Sequence, residues 1–319
     1  MVELGYKLSS EEHGPSALVE YAKRAEEVGF GHAMISDHYH PWVDQQGESP
    51  FVWAPIGAIA EATDELTLGT GVTCPTIRIH PAIMAQAAAT AECMMPGRFV
   101  FGVGTGENLN EHVLGDRWPP HNVRLEMLAE AIDIMRGMWE GGMYSHHGKH
   151  FTVENARIYT LPEEPPPIAI GAGGPKTASF AGDYGDAFVG TSPKEEGIEI
   201  FEEKGDADRP KYGEVNVCYA ESEEEARELA HEWWPNSALK GELSQQLPVP
   251  AHFKQAAQMV DEDDVAETVV CGPDPEAHVE EIEKYAEAGY DHVYVHQVGP
   301  DQEGFMEFYV DEILPKFEW

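Results

Sequence analysis

Positively charged residues are scarce in this sequence, and long apolar runs are missing. Its 319 residues include 20 Lys and Arg against 58 Asp and Glu, which gives a formal charge of −38 at pH 7. A phosphate backbone would repel so acidic a chain, so sequence-independent nucleic-acid binding is excluded. No run of about 18 apolar residues exists, and the start MVELGYKL lacks a basic region followed by an apolar one. We therefore expect no membrane association, no signal peptide and a cytoplasmic protein.

Cysteine is also rare. The four residues are widely spaced and form no Cys-x-x-Cys pair: Cys74, Cys93, Cys218 and Cys271. This spacing argues against a structural zinc site and gives no disulfide framework. We expect reduced thiols and no bound metal.

The acidic residues are spread along the chain in short runs such as 223–225 and 261–264. This distribution indicates a solvated acidic surface. It resembles that of proteins from salt-accumulating halophiles, in which dissolved salt screens the repulsion between carboxylates. A surface for one cationic partner is the alternative.

Three segments share one pattern, in which a helix-like run leads through a glycine and an aromatic residue into an apolar β-type run; they are 25–36, 181–192 and 286–297. The glycine predicts a left-handed helix C-cap, and the run after it predicts a buried parallel strand. About eight strand–helix units fit into the chain. This number favours a single (β/α)8 barrel domain over residues 1–319 rather than two Rossmann halves.

Polar residues follow five of the predicted strands, at Asp37-His38, 104–107, 171–174, 191–194 and His296. The C-terminal strand ends of such a barrel all face one mouth, so these residues are expected to converge there. Three longer insertions are expected to lie over the same mouth, at roughly 108–120, 141–167 and 234–258.

The stretch ISDHYHPW places Asp37 and His38 directly after an apolar strand, with Trp42 close by. An imidazole in that place can exchange a proton near neutral pH while the neighbouring carboxylate holds its orientation, so His38 is a candidate general base. His40 fits a structural role better. A zinc hydrolase barrel also has a His-x-His pair, but on its first strand and with further ligands on later strands that are not found here.

The segment VGTGENLNE, 103–111, follows another predicted strand. Its glycine spacing fails the dinucleotide-binding fingerprint, because Glu107 stands where Gly or Ala is needed. Glu107 and Asn110 instead present an acid and an amide on a glycine loop that a planar ligand can approach closely. The segment AGGP, 172–175, offers free N–H groups to a phosphate, or is simply a tight turn.

Lys194 and Lys254 are conspicuous because cations are so few. Both lie in loops that are predicted to be at the mouth of the barrel, so they are candidates for binding an anion. An ordinary surface role is the alternative.

A resemblance to the luciferase-like hydride-transferase superfamily is carried by SDHYHPW, LGTGVTCPT, FVFGVGTGENLNE, IAIGAGGP, FVGTSPK and AGYDHVYVHQ. Within it, the chain most resembles the deazaflavin-dependent glucose-6-phosphate dehydrogenases, from Leu4 to about Phe308. The resemblance implies a TIM barrel, coenzyme F-420, a small-molecule substrate and a homodimer.

The resemblance also implies residue roles. His38 would remove the hydroxyl proton of the substrate, Glu107 would be the acid that serves the reduced deazaflavin ring, and Trp42 would pack beside the reacting centre. The coenzyme would be lined by Asp37, Gly71, Val72, Cys74, Thr105, Gly106, Asn110, Ala172, Gly173, Gly174 and Thr191. A non-prolyl cis peptide bond is implied at Gly71-Val72, behind the ring.

The implied reaction oxidises glucose-6-phosphate to 6-phosphogluconolactone. The family holds the phosphate with two lysines and an arginine; Lys194 and Lys254 match the lysines, but Thr268 stands at the arginine position. An F-420-dependent secondary-alcohol dehydrogenase, which needs no phosphate site, is therefore an alternative. An FMN-dependent luciferase-like monooxygenase is another, although Asp37-His38 with Glu107 argues against it. A non-catalytic acidic binding protein would need none of these mouth residues.

The acidic surface generates a prediction about stability. Because dense carboxylates repel one another in a compact fold, we expect the melting temperature to rise steeply as salt increases from about 0.1 M, where the screening length is about 10 Å, toward about 1 M. Thermal unfolding followed by circular dichroism at fixed pH measures this. A melting temperature that stays flat across that range would contradict the halophile interpretation.

Overall fold

A computed structural model describes residues 2–317 of the chain. Its strands are β1 (Glu3–Leu8), β2 (His32–Ile35), β3 (Thr67–Thr70), β4 (Phe99–Val103), β5 (Tyr144–His147), β6 (Thr152–Ala156), β7 (Ile168–Gly171), β8 (Ala187–Gly190), β9 (Lys211–Cys218), β10 (Val270–Cys271) and β11 (His292–Gln297). β5 and β6 form a separate antiparallel pair. Of the nine remaining strands, all except the short β10 form a closed parallel barrel of eight strands. The predicted (β/α)8 fold is therefore confirmed.

Helices connect the barrel strands. They are α1 (Pro15–Val28), α2 (Trp53–Ala62), α3 (Pro81–Met94), α4 (Asn108–Glu111), α5 (His121–Trp139), α6 (Pro175–Tyr184), α7 (Glu195–Glu202), α8 (Glu223–Trp233), α9 (Leu243–Gln246), α10 (Pro250–Ala257), α11 (Glu262–Ala266), α12 (Pro275–Glu287), α13 (Gln302–Phe308) and α14 (Leu314–Phe317). Several begin with proline, whose fixed φ and missing N–H suit the first helical position. No helix among residues 2–317 is long and apolar enough to cross a membrane.

The predicted glycine caps are present at two of the three α-to-β turns. Gly29 (φ 104°) and Gly289 (φ 97°) are left-handed, as expected after α1 and α12. Gly185 after α6 is extended instead, so the left-handed prediction is wrong there. Glycine is still required at that turn, because a Cβ would lie 2.8 Å from the carbonyl oxygen of Ala181.

Apolar side chains form two layers. The larger core lies between the barrel and its helices and includes Tyr6, Leu8 and Phe101. A smaller cluster, with Met34 and Tyr294, fills the barrel interior. Lys7 and Glu214 are both buried beside this interior cluster and form an ion pair at 2.8 Å.

The barrel is joined over only a short length between β8 and β9. Residues 188–190 of β8 pair with residues 211–213 of β9. Beyond that point β9 continues for five residues, and its end pairs with β10 at Val270 and Cys271. The two barrel strands therefore separate toward their C-terminal ends and leave a seam in the wall.

Two of the three insertions lie over the mouth as predicted. The side chain of Asn108 donates to the carbonyl of Gln246 at 2.9 Å, which joins the 108–120 and 234–258 segments above the strands. The 141–167 segment does not cover the mouth. It leaves the end of α5, and its β5–β6 hairpin packs against α5, where the Glu130 carboxylate accepts the backbone N–H of Phe151 at 2.8 Å.

Candidate active site

A cavity of about 270 Å³ opens at the C-terminal ends of the barrel strands; we call it the His38 cavity. It brings together nearly all the residues that the sequence singled out for catalysis and coenzyme binding: Asp37, His38, Trp42, Gly71, Val72, Cys74, Thr105, Gly106, Glu107, Asn110, Ala172, Gly173 and Thr191. Gly174 lies one residue beyond it, as the N-cap of α6. The sequence rule that polar residues follow barrel strands therefore located this site. His296 is the exception, because it is buried with Nε2 2.6 Å from Glu12 Oε2 and does not line the cavity.

His38 is held at both ring nitrogens. Nδ1 lies 3.2 Å from the carbonyl oxygen of His40, to which it can donate. Nε2 lies 3.3 Å from Glu11 Oε1 and 3.8 Å from Glu107 Oε2. With the proton on Nδ1, the neutral ring presents a free lone pair at Nε2 between two carboxyl groups.

Glu11 is the functional residue that sequence reasoning missed. Its side chain is buried, and it accepts a short hydrogen bond from the Ser36 hydroxyl. Burial alone would raise the pKa of Glu11, but the charge of His38 when it is protonated, the charge of Lys7 and the Ser36 hydrogen bond lower it to about 2. Glu11 thus stays ionised next to His38. It follows β1 in the polar run 9–12, so the criterion used for β2 would have found it.

Asp37 does not orient His38, contrary to expectation. Its Oδ1 accepts from Arg78 Nη2 at 2.8 Å, and its Oδ2 accepts from the Thr73 hydroxyl at 2.8 Å. The buried Asp37 carboxylate is thus bound by two side chains of the loop after β3. The carboxylate that faces the imidazole is Glu11, from the neighbouring strand end.

Asn110 joins two mouth loops. Its amide oxygen accepts the backbone N–H groups of Tyr39 at 2.9 Å and His40 at 3.2 Å. Its amide nitrogen donates to Glu107 Oε2 at 3.1 Å. One buried side chain therefore fixes Glu107 relative to the segment that carries His38.

Trp42 packs on His38, with ring centroids 4.9 Å apart and planes at 61°. On its other side it contacts Phe253 at 5.1 Å. His40 turns away, with Nδ1 3.0 Å from the carbonyl of Leu109, in keeping with a structural role.

The walls of the His38 cavity suit a flat ligand. The peptide bond between Gly71 and Val72 is cis, as the resemblance implies, and both residues line the cavity. Gly106 has φ +73°, and a Cβ there would lie 2.7 Å from Cys74 Sγ. Gly173 has nothing within 4 Å of its absent Cβ, so the cavity is open over its backbone. A planar ring could lie against these glycines. Burial raises the pKa of the Cys74 thiol in the same wall, so this thiol stays neutral.

A second cavity of about 460 Å³, the Thr268 cavity, lies next to the first at the seam between β8 and β9. The two share Trp42, Thr191, Glu214 and Trp234. Hydroxyl and amide groups line it, from Ser192, Asn216, Asn236, Ser237, Ser244 and Thr268, together with the carboxylates of Glu214, Glu267 and Glu281. Among the described residues, no Lys or Arg lines it.

Neither of the two predicted phosphate lysines lines the His38 cavity or the Thr268 cavity. Lys194 is exposed and directly follows Pro193, a lining residue of the Thr268 cavity. Lys254 is exposed and borders a different hollow, together with Asp44 and Glu232. The structure thus places one lysine at the edge of the Thr268 cavity and the other elsewhere.

The sequence model of the luciferase-like monooxygenase family matches residues 2–292. The chain belongs to the luciferase-like family. It is 38% identical over 331 residues to an F-420-dependent glucose-6-phosphate dehydrogenase of Kribbella flavida, covering 98% of each chain. It is 37% identical to the enzyme of that name from Mycobacterium avium, covering 99% of this chain and 98% of the relative. The family resemblance seen in the sequence is confirmed.

Two solved structures of F-420-dependent enzymes superpose on this chain over nearly its whole length. An F-420-dependent secondary alcohol dehydrogenase, in complex with an F-420–acetone adduct, superposes with a TM-score of 0.90 at 30% identity over 98% of both chains. The F-420-dependent tetrahydromethanopterin reductase of Methanopyrus kandleri, at 24% identity and a TM-score of 0.80 over 99% of both chains, shares the fold.

Glu111, in the wall of the His38 cavity, generates a pH prediction. Burial raises its pKa to about 7, against the lowering effect of Arg78, so the folded protein keeps a proton that the unfolded chain loses above about pH 4.5. The protonated Glu111 side chain is therefore compatible with the fold at low pH, and its contribution to the free energy of unfolding is lost as pH rises from about 4.5 through 7. Glu111→Gln should melt about 2 °C or more above wild type at pH 8, and close to it at pH 5.

Thermal melts across pH 5–8 in high salt measure this. Glu283→Gln, a change at an exposed carboxylate on α12, is the matched control and should give no pH-dependent difference. A Glu111→Gln protein that melts below wild type at pH 8 would show that its charge stabilises the fold.

Proposed function

We propose that this protein is an F-420-dependent dehydrogenase that oxidises the C1 hydroxyl carbon of glucose-6-phosphate. The observation that carries the proposal is His38 Nε2, held between Glu11 and Glu107 in a cavity walled by glycines. The similarity to F-420-dependent glucose-6-phosphate dehydrogenases over nearly the whole chain supports it.

The coenzyme ring would lie against Gly71-Val72 and the 104–107 loop, with its phosphate side toward Gly173 and Gly174. When bound, F-420 supplies the acceptor for the hydride that leaves C1. The protein's part is to position C1 against the ring and to take the proton from the C1 hydroxyl.

His38 is suited to take that proton. The contact of Nδ1 with the His40 carbonyl fixes the tautomer, so Nε2 is the basic nitrogen. Once protonated, the imidazolium lies beside an ionised Glu11, which stabilises it. Transfer of the proton from the C1 hydroxyl oxygen to Nε2, and of the hydride from C1 to the coenzyme, would leave a C=O bond at C1, which is the lactone when the substrate is a cyclic sugar.

Glu107 and Trp42 have supporting roles. Glu107 is fixed by Asn110 close to His38 and would serve as the acid for the reduced ring. Trp42 lies where the two cavities meet and packs on the imidazole, so it limits the access of water to Nε2.

The sugar would extend into the Thr268 cavity, where hydroxyls and amides match its hydroxyl groups. Lys194 at the edge of this cavity is the cation best placed for the phosphate, whereas Lys254 borders another hollow. Because no described Lys or Arg lines the cavity itself, a neutral sugar or secondary alcohol is the second candidate substrate.

A substrate panel tests the proposal. With F-420 and glucose-6-phosphate, the absorbance of the oxidised deazaflavin should fall. His38→Ala should lower turnover by about 100-fold or more, the usual contribution of a general base, while the dissociation constant of F-420 changes little.

Lys194→Gln should raise the Michaelis constant for glucose-6-phosphate, and Lys254→Gln is the matched control. Glucose or 2-propanol used as well as glucose-6-phosphate would favour the second candidate. Unchanged turnover in His38→Ala would remove it as the base.

We also propose that the protein is a homodimer joined through α2 and α3. Phe51 (58%), just before α2, and Ile83 (56%), on α3, are exposed together with small residues of α2 such as Ala54 and Ala58, an unusually apolar face in so acidic a chain. A second copy would cover these apolar side chains. Sedimentation equilibrium in high salt should give twice the 35.2 kDa chain mass, and Ile83→Glu should reduce it to one chain; a wild-type monomer would contradict this proposal. The cytoplasmic location stays a prediction.

A further inference from the structure

A buried carboxylate–imidazole pair, Glu12 and His296, lies next to the wall of the Thr268 cavity and has no part in the chemistry described above. Both side chains are fully buried, with Glu12 Oε2 2.6 Å from His296 Nε2. The other carboxylate oxygen of Glu12 accepts the backbone N–H of Gly299 at 2.9 Å. Trp234 packs on the imidazole, with ring centroids 4.4 Å apart and planes at 74°. The ring of His296 is therefore held in one orientation.

The second nitrogen of this ring contacts a residue that lines the Thr268 cavity. His296 Nδ1 lies 2.9 Å from Asn216 Oδ1, and the two residues are direct neighbours in the register of β11 and β9. Asn216 lies past Gly213, the last residue of β9 that pairs with β8, so it belongs to the seam. Trp234 lines the same cavity. The buried pair is thus connected directly to the proposed sugar site.

Oxygen atoms flank the imidazole on both sides, and this decides its protonation. A neutral imidazole has one N–H and one lone pair, so it could donate to only one of the two oxygens. Donation to both Glu12 and Asn216 requires a doubly protonated ring, whose charge the Glu12 carboxylate balances. Glu214 and His13 are the other titratable groups that interact electrostatically with His296, and they act with opposite signs. A neutral ring with its lone pair at Nδ1 would instead require the amide of Asn216 to turn around and donate.

The orientation of Asn216 determines what the Thr268 cavity offers to a ligand. With Oδ1 held by His296, the amide nitrogen Nδ2 remains, and it has no hydrogen-bond partner within residues 2–317. The positive ring next to Oδ1 polarises the amide and strengthens its N–H donors. Because three carboxylates and no described Lys or Arg line this cavity, a fixed neutral donor is what a sugar oxygen can use there.

We infer that Asn216 Nδ2 donates a hydrogen bond to an oxygen of the sugar, and that Glu12 and His296 are positioning residues that keep the amide in this orientation. This inference rests on the proposed function. It makes Asn216 a specificity-determining residue, because a substrate without a second oxygen, such as 2-propanol, cannot use the contact.

Steady-state kinetics with F-420 and glucose-6-phosphate test the contact. Asn216→Ala should raise the Michaelis constant about three- to tenfold, the usual effect of losing one hydrogen bond, while turnover and the dissociation constant of F-420 change little. Asn216→Asp should raise the Michaelis constant at least as much, because a carboxylate has no N–H to donate.

A double-mutant cycle tests the positioning. Glu12→Gln should raise the Michaelis constant by a factor similar to that of Asn216→Ala, and the double variant should show no further rise, because the pair acts only through Asn216. Glu283→Gln, at an exposed carboxylate on α12, is the matched control and should behave as wild type does.

Nitrogen-15 NMR of the histidine rings provides a measurement without substrate or coenzyme. The signal of His296 is assigned by its absence in His296→Gln. In wild type this ring should carry two protons at about pH 8, where an unpaired imidazole is neutral, and in Glu12→Gln it should carry one. If Glu12→Gln does not fold, the wild-type spectrum and the two Asn216 variants decide.

Three outcomes would overturn the inference. A wild-type His296 ring with one proton would remove the positioning role. An Asn216→Asp protein that keeps the wild-type Michaelis constant, while Asn216→Ala does not, would show that the cavity receives the amide oxygen. A parallel rise in the inhibition constant of inorganic phosphate would place the contact at the phosphate. If wild type does not oxidise glucose-6-phosphate, the proposed function and the sugar contact both fail, whereas the NMR spectrum still decides the orientation of Asn216.

Discussion

The contact between Glu11 and His38 is the interaction on which the rest of the site depends. A carboxylate buried this deeply is ionised only because Lys7 and the imidazole lie beside it, and Lys7 in turn is balanced by Glu214. From Glu214 to Glu107, negative and positive or protonatable groups alternate across the mouth. Removing any one of them would leave an uncompensated charge in a place that water reaches poorly. The same series of charged groups that stabilises the barrel mouth also determines where a proton binds.

Much of this arrangement could be predicted from the sequence, because strand ends in a parallel barrel converge. His38, Glu107 and the glycine loops were located in this way. Glu11 was missed because the run SSEE after β1 resembles the many solvated acidic runs of this chain, although the strand-end criterion applied to β2 also fits it. Asp37 was assigned to His38 because the two are adjacent, yet neighbours in a strand-end loop point in different directions, and Arg78 is 41 residues away along the chain. The placement of 141–167 and the environment of Lys254 depend on helix packing, which spacing does not encode.

The two cavities are built by different parts of the chain. The His38 cavity is built from loops after successive barrel strands, with a backbone that approaches the ligand closely at glycines. The Thr268 cavity is built largely from the segment after α8, whose side chains carry its polarity. Relatives with different named substrates share the barrel with this chain, at a TM-score of 0.90 for the alcohol dehydrogenase. Glycine backbone determines the shape of the first cavity, whereas the hydrogen-bonding side chains of the second can be exchanged singly.

The seam between β8 and β9 has a consequence for how such enzymes diversify. Barrel closure there rests on residues 188–190 and 211–213, below the level of the Thr268 cavity. Insertions and substitutions above the seam can therefore remodel the substrate chamber without breaking the ring of backbone hydrogen bonds or shifting His38. The wall above the seam can therefore vary while the barrel beneath it stays closed, so a change in the Thr268 cavity need not alter the His38 cavity.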